Sequence, residues 1–140
     1  MDYFSAMKAA TINELKQELL NEKPAKLVEL CIRLARFKKE NKELLTYLLF
    51  EAHDTEAYIK SVIQEMDSNF ETINKSNAYF VKKTLRKILR ITHKFIRYSG
   101  SDIVATELLI HFCKTVKKMD KSITTNQVII NIYQNQLKKI

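Results

Sequence analysis

The chain has 140 residues, 46% of them hydrophobic and 29% charged, with a formal net charge of +8; this suits one globular domain, residues 1–140, and is too apolar for a disordered segment. A single glycine, Gly100, and a single proline, Pro24, exclude the glycine-rich loops that cradle dinucleotides or nucleotide phosphates and argue against hairpin-rich sheet folds. No run approaches the roughly 20 apolar residues of a membrane span, and Met1 to Thr11 lacks the basic start and apolar run of a secretory leader, so a cytoplasmic protein with no membrane partner is expected.

The abundant Leu, Lys, Glu, Ala, Gln and Arg favour helix, and the apolar residues recur at helical spacing. Thr11-Ile-Asn-Glu14 has capping-box form ahead of Leu15, Leu19 and Leu20. This first helix is expected to stop near Asn21, because Pro24 restricts the residue before it. Pro24 then suits the first turn of a second helix, ending near Phe37, with Leu27, Leu30, Cys31, Leu34 and Ala35 as its stripe. A third helix, Lys42 to Ala52, is apolar on most of its circumference through Leu44-Leu45-Thr46-Tyr47-Leu48-Leu49-Phe50. Burial between neighbours is the expectation there, and exposure of one face to a partner the alternative. Asp54 or Thr55 caps a fourth helix whose stripe runs from Tyr58 to Ile73.

A fifth helix, about Ala78 to Tyr98, stops at Ser99-Gly100-Ser101, with Gly100 placed as the left-handed cap. Ser101 and Asp102 open a sixth, through about Lys118. Thr124-Thr125-Asn126-Gln127 is a second capping-box form, opening a seventh helix that runs almost to Ile140. Leu30, Leu34, Leu48, Ile88, Leu89, Phe95, Leu109 and Phe112 are the expected core.

A shift of 61 residues overlays the second and third helices on the fifth and sixth. Leu27 meets Ile88, Leu30 meets Ile91, Leu34 meets Phe95, Arg36 meets Arg97 and Phe37 meets Tyr98. In outline this pattern resembles the HEAT-type α-helical repeat (α-solenoid) proteins. The resemblance implies an all-α fold of about seven helices in stacked antiparallel hairpins, with a closed helical bundle as the alternative. It carries over no functional residue.

Candidate chemistry is sparse. Cys31 and Cys113 sit inside apolar patterns and read as small buried hydrophobes in a reducing compartment, not as nucleophiles. Glu107 and His111 share a helix face, but an ordinary side-chain pair is the expected arrangement, and neither metal nor cofactor is expected. Glu51, His53, Asp54 and Glu56 form an acidic corner that could in principle do acid–base work. Capping by Asp54, a favourable helix N-terminus for Glu56 and solvation of Glu51 account for its carboxylates without catalysis.

The fifth helix stands apart. Between Thr72 and Ser101 there are eight basic residues and no acidic one, a charge equal to that of the whole chain. Lys82, Lys83, Arg86, Lys87, Arg90, Lys94 and Arg97 recur on one side of the helix, opposite Val81, Thr84, Leu85, Ile88, Leu89, Ile91, Thr92, Phe95 and Ile96, as a stripe roughly 22 Å long. Like charges at this spacing repel. Either acidic residues such as Glu51, Glu56, Glu65, Asp67 or Glu71 cover the stripe, or an anionic partner does. No aromatic residue for base stacking is expected on the basic side. Lys26, Arg33 and Arg36 overlay Lys87, Lys94 and Arg97, so two helices are expected to line one basic surface.

The expected function is therefore a non-enzymatic binding module, with nucleic acid as the leading ligand through phosphate contacts at Lys83, Arg86, Lys87, Arg90, Lys94 and Arg97. A protein–protein adaptor is the alternative, using the apolar third helix or the Asn/Gln-rich seventh with Asn126, Gln127, Asn131, Gln134, Asn135 and Gln136. A hydrolase at the acidic corner is the third reading.

Overall fold

A computed structural model describes residues 7–140; residues 1–6, the first part of the segment read for a leader, lie outside it. The fold is all-α, 79% helical, with eight α-helices and no strand among the described residues. The chain divides into two compact units, residues 1–45 and 46–140.

In the first unit, α1 spans Ile12–Leu20 and α2 spans Pro24–Phe37. The capping box forms as read: the Glu14 N–H donates to Thr11 Oγ1 at 3.2 Å, and the Thr11 hydroxyl donates to Glu14 Oε1 at 3.1 Å. Pro24 occupies the first turn of α2. α3, Lys39–Thr46, begins three residues earlier than expected, separated from α2 by Lys38 alone in extended conformation. The Asn41 side-chain N–H donates to the Leu34 carbonyl at 2.8 Å and fastens this corner.

The apolar stripe of α2 does not make a core. Ala35 is the one buried residue among 7–45, Leu30 is half-buried, and Leu34 is 64% exposed. Cys31, read as buried, is exposed as well. The reason is geometric: α1 and α2 pack on each other too sparsely to enclose a side chain, and a core needs a further layer. What they form instead is a groove of about 530 Å³, lined by Leu15, Leu19, Leu30, Leu34 and Phe37 and edged by Glu18, Glu22 and Arg33.

The second unit opens on a π-helical turn, Tyr47–Glu51, where a regular helix was expected. The Ala52 N–H reaches the Tyr47 carbonyl at 2.9 Å, five residues back. The wider turn aims the Tyr47 ring at Tyr58, with centroids 4.6 Å apart, and leaves Leu48, Leu49 and Phe50 outside. Leu48, expected in the core, is 57% exposed.

The helices α4 (Thr55–Glu71), α5 (Ala78–Ser99), α6 (Asp102–Lys117) and α8 (Gln127–Leu137) hold the core of this unit. Asp54, Asn77 and Ser101 cap the first three, each accepting a backbone N–H two or three residues into the helix. Gly100 ends α5 at φ 58°, where a Cβ would be strained. A further one-turn helix, α7 (Lys121–Thr124), tucks Ile123 into the core. Thr124 therefore closes α7, and the N-cap of α8 falls to Asn126, whose side chain accepts from Val128 N–H at 3.0 Å.

α4 packs on both α5 and α6, and α8 packs on the same pair. Phe112, fully buried, meets the Phe70 ring of α4 at 5.8 Å. The next residue, Cys113, points its thiol at the Tyr133 carbonyl of α8, 4.0 Å away. Consecutive helical residues diverge by about 100°, so α6 takes α4 and α8 on different flanks. Ile88, Leu89, Leu109 and Phe112 are buried as expected, and Phe95 is half-buried beneath the Tyr58 hydroxyl, which donates to its carbonyl at 2.7 Å. Among the described residues two polar side chains are buried, Thr92 and Gln136, and both are satisfied. The Thr92 hydroxyl donates to Ile88 O at 2.7 Å, and Gln136 Oε1 lies 3.0 Å from His93 Nε2.

Candidate nucleic-acid interface

The buried side of α5 determines where its charges go. Val81, Leu85, Ile88, Leu89 and Thr92 all face inward, and the six basic residues from Lys83 to Arg97 fall within an arc of about 100° on the opposite side. Lys83, Arg86, Lys87, Arg90 and Arg97 are exposed, and Lys94 is half-buried. The Lys94 ammonium lies 5.5 Å from the Phe95 ring centroid, within cation–π range.

The acidic residues that could have covered this stripe do not reach its five exposed members. Among the described residues, no carboxylate oxygen lies within 4.0 Å of a side-chain nitrogen of Lys83, Arg86, Lys87, Arg90 or Arg97. Asp67 is engaged elsewhere, with Oδ1 at 2.7 Å from His111 Nε2 of α6. The lysine–carboxylate pairs Lys26–Glu29 and Lys39–Glu43 belong to α2 and α3. Lys26, Arg33 and Arg36 lie in the first unit and the α5 stripe in the second.

One feature of this face was missed in the sequence. Tyr79 precedes Lys83 by four residues, a little more than one turn, and therefore falls on the basic side, contrary to the expectation that no aromatic does. It is 59% exposed, and its neighbour Phe80 is 40% exposed. The two rings lie edge to face, centroids 5.5 Å apart and planes at 71°. The Lys82 ammonium sits 5.4 Å from the Tyr79 ring centroid. Applying the helical spacing backward from Lys83, rather than only forward, would have found Tyr79.

The other candidate residues are placed as follows. Asp54 spends its Oδ1 on the Ala57 N–H at 3.0 Å, while His53 and Glu56 are exposed and Glu51 is half-buried. His111 is held by Asp67. Cys113 is buried, and burial raises its thiol pKa above the ordinary value. On α8, Gln136 is buried against His93, Gln127 donates to Asn131 at 2.9 Å, and Asn126 is the cap. Four of the six amides read as a recognition surface, Asn126, Gln127, Asn131 and Gln136, are therefore engaged within the helix or the core. Among the described residues, no helix is long and apolar enough to cross a membrane.

Comparison of the chain with protein-family models, with curated proteins and with solved structures yields no match.

Proposed function

We propose that the protein is a non-enzymatic binding module that holds the phosphate backbone of nucleic acid along the outward face of α5. The observation that carries this reading is the open stripe: Lys83, Arg86, Lys87, Arg90 and Arg97 stand exposed without a carboxylate partner among the described residues. Neighbouring like charges on a helix cost a few tenths of a kcal/mol per pair, and mixed signs would serve solubility without that cost. A polyanion offsets the repulsion and releases its own counterions on binding. Contacts of this kind grip the backbone and do not read the base sequence.

The test is fluorescence anisotropy with labelled oligonucleotides of unrelated sequence at low salt, for the parent and for Arg86→Glu combined with Arg90→Glu. Both residues are exposed and point away from the core, so the helical circular dichroism should be unchanged while binding is lost. Undetectable binding by the parent, or equal binding by both proteins, would refute the reading.

A second reading, a protein–protein adaptor, is supported by a different observation. Leu34 and Phe37 on α2, and Leu48, Leu49 and Phe50 in the π turn, are each 57–78% exposed. Exposed apolar clusters of this kind mark contact surfaces, and π turns recur at functional sites. An adaptor would keep its partner after the α5 charge reversal and lose it on Leu34→Asp combined with Phe37→Asp.

A further inference from the structure

We infer that Tyr79 and Phe80 form a base-stacking platform at the start of the basic stripe, so that the preferred ligand is single-stranded nucleic acid. This rests on the phosphate-binding reading of α5 and narrows it to one ligand class.

Three observations converge. Tyr79 and Phe80 are large aromatic side chains left 59% and 40% exposed, on the same outward side of α5 as the stripe. Their rings stand nearly perpendicular, at 71°, so they present faces in two directions, and Lys82 brings a cation to within 5.4 Å of the Tyr79 ring centroid. A base in a duplex has both faces covered by its neighbours and cannot stack on a protein ring without leaving the stack; a base in a single strand can.

The third observation is the spacing of the charges. Lys83, Arg86 or Lys87, Arg90, Lys94 and Arg97 recur once per helical turn, a step of about 5.4 Å along the axis. One strand of a stacked duplex advances only about 3.4 Å per phosphate. Unstacking lengthens the strand per nucleotide, toward the step of the lysines and arginines. From Tyr79 to Arg97 the face is roughly 27 Å long. It accommodates about five nucleotides at one per turn, within the range of sequence-tolerant single-strand sites.

The proposal makes the bases matter although their identity does not. The test compares three probes at one low salt concentration: an oligothymidylate, an abasic oligomer with the same number of phosphates, and a duplex with the same number of phosphates per strand. For the parent, the oligothymidylate should bind roughly five- to a hundredfold tighter than the abasic oligomer, as stacking of one or two bases would give. It should also bind tighter than the duplex.

Tyr79→Ala should bring the oligothymidylate down toward the abasic affinity and leave abasic binding unchanged, which also reports that the stripe is still folded. Tyr79→Phe should keep the preference. Equal affinity of the parent for oligothymidylate and abasic oligomer, or a preference for duplex, overturns the platform while leaving the phosphate reading in place. Failure of all three probes to bind overturns both.

Discussion

Leu34 and Leu108 offer the same deletion in opposite environments. Leu108 is fully buried in the second unit and Leu34 is 64% exposed in the first. Leu→Ala at Leu108 removes the transfer free energy of a buried side chain and leaves a void among Val104, Phe112 and their neighbours, a loss of roughly 2.7–5 kcal/mol. Leu34 has only about a third of its surface covered and encloses nothing, so the same change costs under about 1 kcal/mol. Both residues lie inside helices, so the gain in helix propensity on going to alanine is shared and cancels. The assay is urea unfolding followed by the helical circular dichroism. With a slope of roughly 1–3 kcal/mol/M, Leu108→Ala should lower the main midpoint by roughly 1–5 M and Leu34→Ala should move it far less. Equal shifts, or a larger one for Leu34→Ala, would mean that α2 belongs to the core after all and that the separation of stabilising contacts described above is wrong.

Three further outcomes follow from single contacts. Tyr58→Phe removes the 2.7 Å bond to the Phe95 carbonyl but keeps the ring among Tyr47 and Phe95, so urea unfolding should report a loss of about 1 kcal/mol. Gly100→Ala meets no atom within 4 Å, so its cost should be the left-handed backbone alone, about 1–2 kcal/mol, read as a lower midpoint with the helical signal intact. Alkylation with iodoacetamide, mapped by mass spectrometry, should label exposed Cys31 rapidly and buried Cys113 slowly. The folded Cys113 thiol holds its proton more tightly than the unfolded one. The stability it contributes is therefore full at neutral pH and falls as pH rises past the ordinary thiol range.

What could be read from the sequence depended on whether a residue's environment is local. α5 was legible almost to the residue: its two faces are separated by helical spacing alone, and Gly100 supplies the one backbone conformation that ends it. The Thr11 box and the Asp54 and Ser101 caps were legible for the same reason, since each side chain bonds a backbone N–H three residues away. Leu34 and Leu48 were not, because periodicity identifies an apolar face without saying what will cover it. The π turn at Tyr47–Glu51 absorbs one extra residue and re-aims every side chain after it, a change that no spacing pattern encodes. At the start of α8 the cap is Asn126 where Thr124 was expected, because the one-turn α7 that buries Ile123 takes up Thr124. Whether the basic stripe was open could not be read at all, since it turned on the reach of carboxylates from other helices, of which Asp67 goes to His111.

Phosphate binding by α5 is measured most directly as the salt dependence of oligonucleotide binding by the unaltered chain. If the five exposed basic residues of α5 neutralise about four phosphates of a single strand, the logarithm of the association constant should fall with the logarithm of salt concentration at a slope near −3. The Arg86→Glu and Arg90→Glu protein should show no measurable binding across the same range. A slope near zero in the parent, or no binding at the lowest salt, would contradict the account and leave the stripe as a solvated face.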